Sequence, residues 1–171
     1  MEEKEKYPLE QVAQIKQKRL EEAEKVLEEK RAILAKEQEK LAELEKERDT
    51  VKEHRVAKLS QLRAKMDEGA GAIKITQMKQ YLKVVDEQLK QKEHKVKEQQ
   101  KVVTGAEKAV EVAREDFYKK QKDVEKLKIH RKEWDKEMKD LMEHKEALET
   151  DEMGSSIHTM KKRHKKNGRR A

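Results

Sequence analysis

Six histidines, one glycine-rich stretch ahead of a lysine and a dense population of carboxylates are the residues of this chain that could carry chemistry. The histidines are His54, His94, His130, His144, His158 and His164. Two histidines share a metal on one helix face only at a spacing of three or four, and no pair here has it. His130, His144 and His158 recur every 14 residues, which on a helix separates neighbours by about 21 Å. No single ion bridges that distance, so all six read as solvated surface histidines. Gly69-Ala70-Gly71 followed by Lys74 invites a phosphate-loop reading, but no strand pattern precedes it and no Gly-Lys-Ser/Thr follows. Glu and Lys alternate through stretches such as Glu37 to Glu47, as they do on a solvated helix face. Nothing in the pattern encloses a cleft that would desolvate a catalytic acid. The chain is therefore expected to be no enzyme, with no cofactor, no metal site and no small-molecule substrate.

Charge is the other chemical resource. The formal net charge is +7, and residues 161–171 (KKRHKKNGRRA) hold seven Lys or Arg and no Asp or Glu. The body is thus close to neutral and the basicity is local. Such a tail suits a solubilising end, a salt-dependent contact with anionic lipid or nucleic acid, or a contact with an acidic protein. No aromatic residue follows Trp134, so the tail has nothing to stack on bases, and nucleic acid is disfavoured as a partner.

The elements that position these residues follow from composition. Of 171 residues, 47% are charged and 33% hydrophobic, with one proline, five glycines and no cysteine. That is too little apolar surface for an ordinary globular core, but enough for a long helix with one apolar stripe. No apolar run reaches the roughly 18 residues of a membrane span, and no signal peptide is evident. The stripe is plain between Met78 and Leu148. One series runs Leu82, Leu89, Val96, Val103, Val110, Phe117, Val124, Arg131, Met138, Lys145. Its companion runs Met78, Val85, Lys92, Gln99, Ala106, Ala113, Lys120, Leu127, Trp134, Leu141, Leu148. A first helix repeats the pattern less cleanly, with Ala13, Leu20, Leu27, Leu34, Leu41 and Leu62 in one heptad slot and Arg48 and Arg55 in the gaps. Val26, Ile33 and Leu59 are expected to widen its stripe.

These patterns predict an all-α chain of two long helices forming an antiparallel coiled-coil hairpin, helix 2 longer than helix 1. Residues 1–7 read as a frayed N-terminus, 8–67 as helix 1, 68–72 as a glycine-rich turn, 73–152 as helix 2 and 153–171 as a flexible basic tail. Pro8 suits a first helical turn. Gly69 and Gly71 form the turn, either able to supply a left-handed helix end. Thr104-Gly105-Ala106-Glu107 resembles a capping box, but the heptad phase passes through it, so helix 2 is read as continuous. Folding at residue 70 puts Leu9 opposite about Arg131. Beyond that point Trp134, Met138, Leu141 and Leu148 continue the seam with no intrachain partner opposite. They are the candidate partner-binding residues, unless residues 1–8 or a second copy cover them.

A resemblance carries the reading further. Lys6-Tyr7-Pro8-Leu9-Glu10-Gln11-Val12, with Ile15-Lys16 just after, is similar to the start of the YscO/FliJ family, the small stalk proteins of type III secretion and flagellar export. The likeness extends through Ala23-Glu24-Lys25-Val26, Glu37-Gln38-Glu39-Lys40-Leu41, Asp67-Glu68-Gly69, Tyr81-Leu82-Lys83-Val84-Val85, His130-Arg131-Lys132-Glu133-Trp134 and Asp151-Glu152-Met153-Gly154. It is strongest toward the chlamydial YscO-type branch. The resemblance implies a two-helix stalk that binds and stimulates a hexameric secretion ATPase, contacts the export gate and escorts secretion chaperones. Its place would be the bacterial cytoplasm, at the cytoplasmic face of the secretion apparatus and peripheral to the membrane through it. The end holding both chain termini would enter the ATPase, which adds Tyr7, Leu9 and Val12 to the candidate partner-binding residues. The Gly69–Gly71 tip would face the gate. The alternatives are a generic structural coiled-coil scaffold, or a nucleic-acid- or membrane-associated protein working through its basic tail.

Overall fold

The structure, a computed structural model, describes residues 6–167. It contains two helices, α1 over Glu10–Asp67 and α2 over Ala72–Asn167. The expected all-α class holds, with α2 the longer helix. Pro8 lies in the turn that leads into α1, where the Glu10 N–H donates to the Tyr7 carbonyl (3.2 Å) and the Ala13 N–H to the Leu9 carbonyl (2.9 Å). Its missing N–H removes no helical bond there. At the other end of α1, the Ala70 N–H reaches the Lys65 carbonyl and the Gly69 N–H the Met66 carbonyl, both at 3.1 Å. These paired bonds close a helix through a left-handed residue, and Gly69 is that residue, at φ 78°. Gly71 plays a different part. Its carbonyl accepts from the Ile75 N–H at 3.2 Å, which starts α2.

The chain packs as two compact units, one of Arg19–Lys119 and one of Met1–Lys18 with Lys120–Ala171. In the Arg19–Lys119 unit the buried side chains are Ala23, Leu27, Leu62, Val85, Val96, Val103 and Ala113, and all but Ala23 belong to the heptad series given above. Three polar members of those series, Arg55, Lys92 and Gln99, find partners across the pair, while Arg48 pairs with Asp49 on its own helix. Gln99 Nε2 donates to the Glu37 carboxylate at 2.6 Å and to the Glu37 backbone carbonyl at 3.0 Å. Lys92 Nζ meets Glu47 at 2.6 Å, and Arg55 pairs with Asp86. Going down α1 from Arg55 to Glu47 to Glu37 goes up α2 from Asp86 to Lys92 to Gln99, so the helices run antiparallel. These crossing pairs select one register, which a uniformly apolar seam would leave open to slippage.

Two details differ from expectation. Of the residues expected to widen the stripe of α1, Leu59 is half-buried, but Val26 and Ile33 are exposed. A two-helix interface buries fully only its central positions, and a flanking residue needs a third helix to be covered completely. His54 is exposed at the surface, as read, and its Nε2 lies 2.9 Å from the Tyr81 hydroxyl. And α2 does not stop at 152 but continues to Asn167. Gly154, Ser155 and Ser156 weaken a helix without forbidding it, at about 1 kcal/mol for the glycine, and no proline follows. Instead the Thr159 hydroxyl donates to the Ser155 carbonyl at 2.8 Å, and Lys165 and Lys166 occupy the last turn, where cations complement the helix dipole. Helix α2 also runs unbroken through Thr104, whose hydroxyl donates to the Gln100 carbonyl at 2.9 Å. Residues 1–5 of the expected frayed start and 168–171 of the expected flexible tail lie outside the described residues.

Candidate interaction site

The expected partner-binding residues belong to the unit that joins the start of the chain to α2 from Lys120 onward. Within it α1 and α2 are pinned by two ion pairs, Lys16 to Asp123 at 2.9 Å and Glu10 to Arg131 at 2.8 Å. The Lys16 ammonium beside Asp123 holds that carboxyl below its ordinary value, first through the hydrogen bond and then through its charge. Val124 is buried beneath these pairs, in the seam slot that the heptads assign it. The Glu10 pairing falls where folding at residue 70 puts it, with the start of α1 beside Arg131.

Ahead of Glu10 the chain is not helical, yet Tyr7 is among its best-buried side chains, at 6% exposure. Its ring meets Trp134 edge-on with centroids 5.4 Å apart and His130 with centroids 5.7 Å apart. The Tyr7 hydroxyl is hydrogen-bonded to His130 Nδ1 at 2.7 Å, and the Arg131 guanidinium lies 5.6 Å over the Tyr7 ring. Cation and ring edge both suit the electron-rich face of a phenol. Tyr7 is thus not part of a frayed start. It closes over Trp134, and the seam past Arg131 does have an intrachain partner for its first turn. Residue 7 follows from the same register as Glu10–Arg131, so extending that register beyond Leu9 would have found it. Nothing in the sequence marked His130 as its hydrogen-bond partner, because that contact needs the chain to return.

The other candidates are spread along the same helices. Leu9 and Met138 are half-buried with Trp134, while Val12 is exposed. Leu141 and Leu148 are 49% and 52% exposed and stand one heptad apart, on the line that Trp134 begins. Gly69 and Gly71 lie in the turn between the helices, within the other unit. Among the described residues no group of His, Asp and Glu is placed to hold a metal ion, no helix is long and apolar enough to cross a membrane, and no buried side-chain nitrogen or oxygen lacks a hydrogen bond. The chemistry on offer here is that of a surface: an aromatic cluster closed by Tyr7, then an apolar line open to solvent.

Comparison with known proteins matches the YscO-like family over residues 4–164. The chain belongs to the YscO-like family. A solved structure described as that of a YscO homologue, CT670 from Chlamydia trachomatis, is 44% identical to this YscO-like chain. The match covers 94% of this chain and 99% of that one, with a TM-score of 0.86. No match was found among curated proteins. The YscO-like match takes in every candidate residue from Tyr7 to Leu148 and ends at residue 164, within the basic segment.

Proposed function

We propose that this chain is the coupling stalk of a type III secretion apparatus, binding and stimulating the hexameric secretion ATPase at the cytoplasmic face of the bacterial membrane. Membership of the YscO-like family supports a protein associated with type III secretion. The observation that carries the contact is the exposed pair Leu141 and Leu148, which prolongs the coiled-coil seam past the turn closed by Tyr7. Apolar side chains repeated at heptad spacing without cover are what a helix of another protein packs against. A two-helix body on the axis of a sixfold ring must touch the ring's subunits unequally, so it can relay their states in turn. On this reading the Gly69–Gly71 turn meets the export gate, and the exposed helix faces escort secretion chaperones.

The test is the ATPase rate of the cognate hexamer with substoichiometric amounts of this chain. A rise in rate is expected with the wild-type chain and its loss with Leu141→Ser/Leu148→Ser, at unchanged helix content by circular dichroism. Full stimulation by the double variant would remove these residues as the contact. No stimulation by the wild-type chain would overturn the stalk reading.

A further inference from the structure

The last turns of α2 carry a second apolar face that does not belong to the coiled-coil seam. Met153, Ile157 and Met160 follow one another at four and three residues, inside an arc of about 60° on a helix of 3.6 residues per turn. They are 66%, 52% and 70% exposed. Leu148 points about 140° away from Met153 around the same axis, so this face is separate from the line proposed above for the ATPase. Glu146 and Glu149 occupy the same side in the preceding turns, which confines the apolar face to the end of the helix. The charge pattern changes there as well. After Glu152 there is no Asp or Glu, and seven Lys or Arg follow. Lys161 and Lys165 border one edge of the apolar arc and Arg163 the other, while Ile157, Met160, Lys161, His164 and Lys165 share one open hollow.

We infer that the segment from Met153 to Asn167 is an interfacial helix for an anionic phospholipid surface. An apolar arc flanked by cations places methionine and isoleucine at the acyl boundary and Lys and Arg among the phosphates. A protein groove fits less well, because Lys161 and Lys165 on one edge and Arg163 on the other would need acidic groups along both rims of one narrow cleft, which a phosphate layer supplies everywhere. Nucleic acid fits less well too, because the segment has no aromatic residue to stack on bases and its apolar arc would stay in water. Exposed Met and Ile beside a block of cations is the arrangement that a headgroup layer satisfies on both counts. The binding is expected to be weak, reversible and salt-sensitive, a second foothold for a chain whose main contacts are with protein.

The experiment uses the full chain and lipid alone, so it is independent of the ATPase contact. Flotation with phosphatidylcholine vesicles is compared with flotation on vesicles holding about 30% phosphatidylglycerol, at about 0.1 M salt. Retention at least about tenfold stronger on the anionic vesicles is expected. Met153→Ser/Ile157→Ser/Met160→Ser should lose about tenfold of it with every cation in place. Met153→Leu/Ile157→Leu/Met160→Leu, which keeps helix propensity and apolarity, should bind at least as well as the wild-type chain, and Leu141→Ser/Leu148→Ser should bind equally. Equal binding by the serine variant would reduce the segment to a plain polycation and overturn the inference. So would absence of retention on anionic vesicles, or retention by duplex DNA in place of vesicles.

Discussion

Replacing Tyr7 with alanine tests whether one ring holds the start of the chain against α2. Burying a tyrosine removes about 150–250 Å² from water, which at about 25 cal/mol per Å² stabilises by about 4–6 kcal/mol as an upper value. The edge-on contact with Trp134 and the hydrogen bond to His130 add about 1 kcal/mol each. Against this, ordering the non-helical residues 6–9 costs about 1–2 kcal/mol per residue. The two sides nearly balance, so the closed segment is only marginally favoured and most of its stability resides in Tyr7. Tyr7→Ala should therefore open the segment, while Tyr7→Phe, which forfeits only about 1 kcal/mol, should open it far less. Trp134 is the chain's single tryptophan and reports directly. In Tyr7→Ala its emission should move to longer wavelength and its quenching by acrylamide should increase, with circular dichroism unchanged because residues 6–9 are not helical. Identical Trp134 emission and quenching in the wild-type and Tyr7→Ala chains would refute the reasoning.

Three further outcomes follow from the carboxylate pairs and the glycines. Glu37 is held below its ordinary carboxyl range by the Gln99 amide first and Lys40 second, Glu47 by Lys92, and Asp123 by Lys16. A carboxyl whose pKa is lowered on folding adds stability that is present above its unfolded pKa and lost as pH falls through the folded one. The helical melting midpoint should therefore hold from neutral pH to about pH 5 and fall below about pH 4; a midpoint unchanged down to about pH 2 would show that these pairs contribute nothing. At the glycines, Gly69→Ala should destabilise by about 1 kcal/mol because Gly69 sits at φ 78°. Gly105→Ala should stabilise by about 1 kcal/mol, since Gly105 is mid-helix with nothing within 4 Å of an added Cβ. Urea melts of both variants, shifted in opposite directions, would check the pair.

Much of this architecture is legible in the sequence because coiled-coil packing is written in a local code. Val85, Val96, Val103, Ala113 and Val124 are buried where a 3.5-residue period assigns them, and one glycine-rich break was enough to set which residues face each other. Other features were not legible, for reasons specific to each. Val26 and Ile33 are as apolar as their neighbours in the stripe, and only the number of packed helices decides that they stay exposed. The run of α2 beyond Gly154 turns on a few tenths of a kcal/mol per residue, too small for composition to settle.

By itself the sequence determined the period, the turn and the pairing of the two helices, since each depends on residue spacing and backbone freedom alone. The tertiary structure decided what happens where the residues ahead of α1 meet α2. Tyr7 and His130 stand 123 positions apart, and no local pattern joins a non-helical tyrosine to a helical histidine. Their contact exists only once the antiparallel return has brought α2 back past the start of α1. There it closes the aromatic cluster over Trp134 and leaves Leu141 and Leu148 open beyond it.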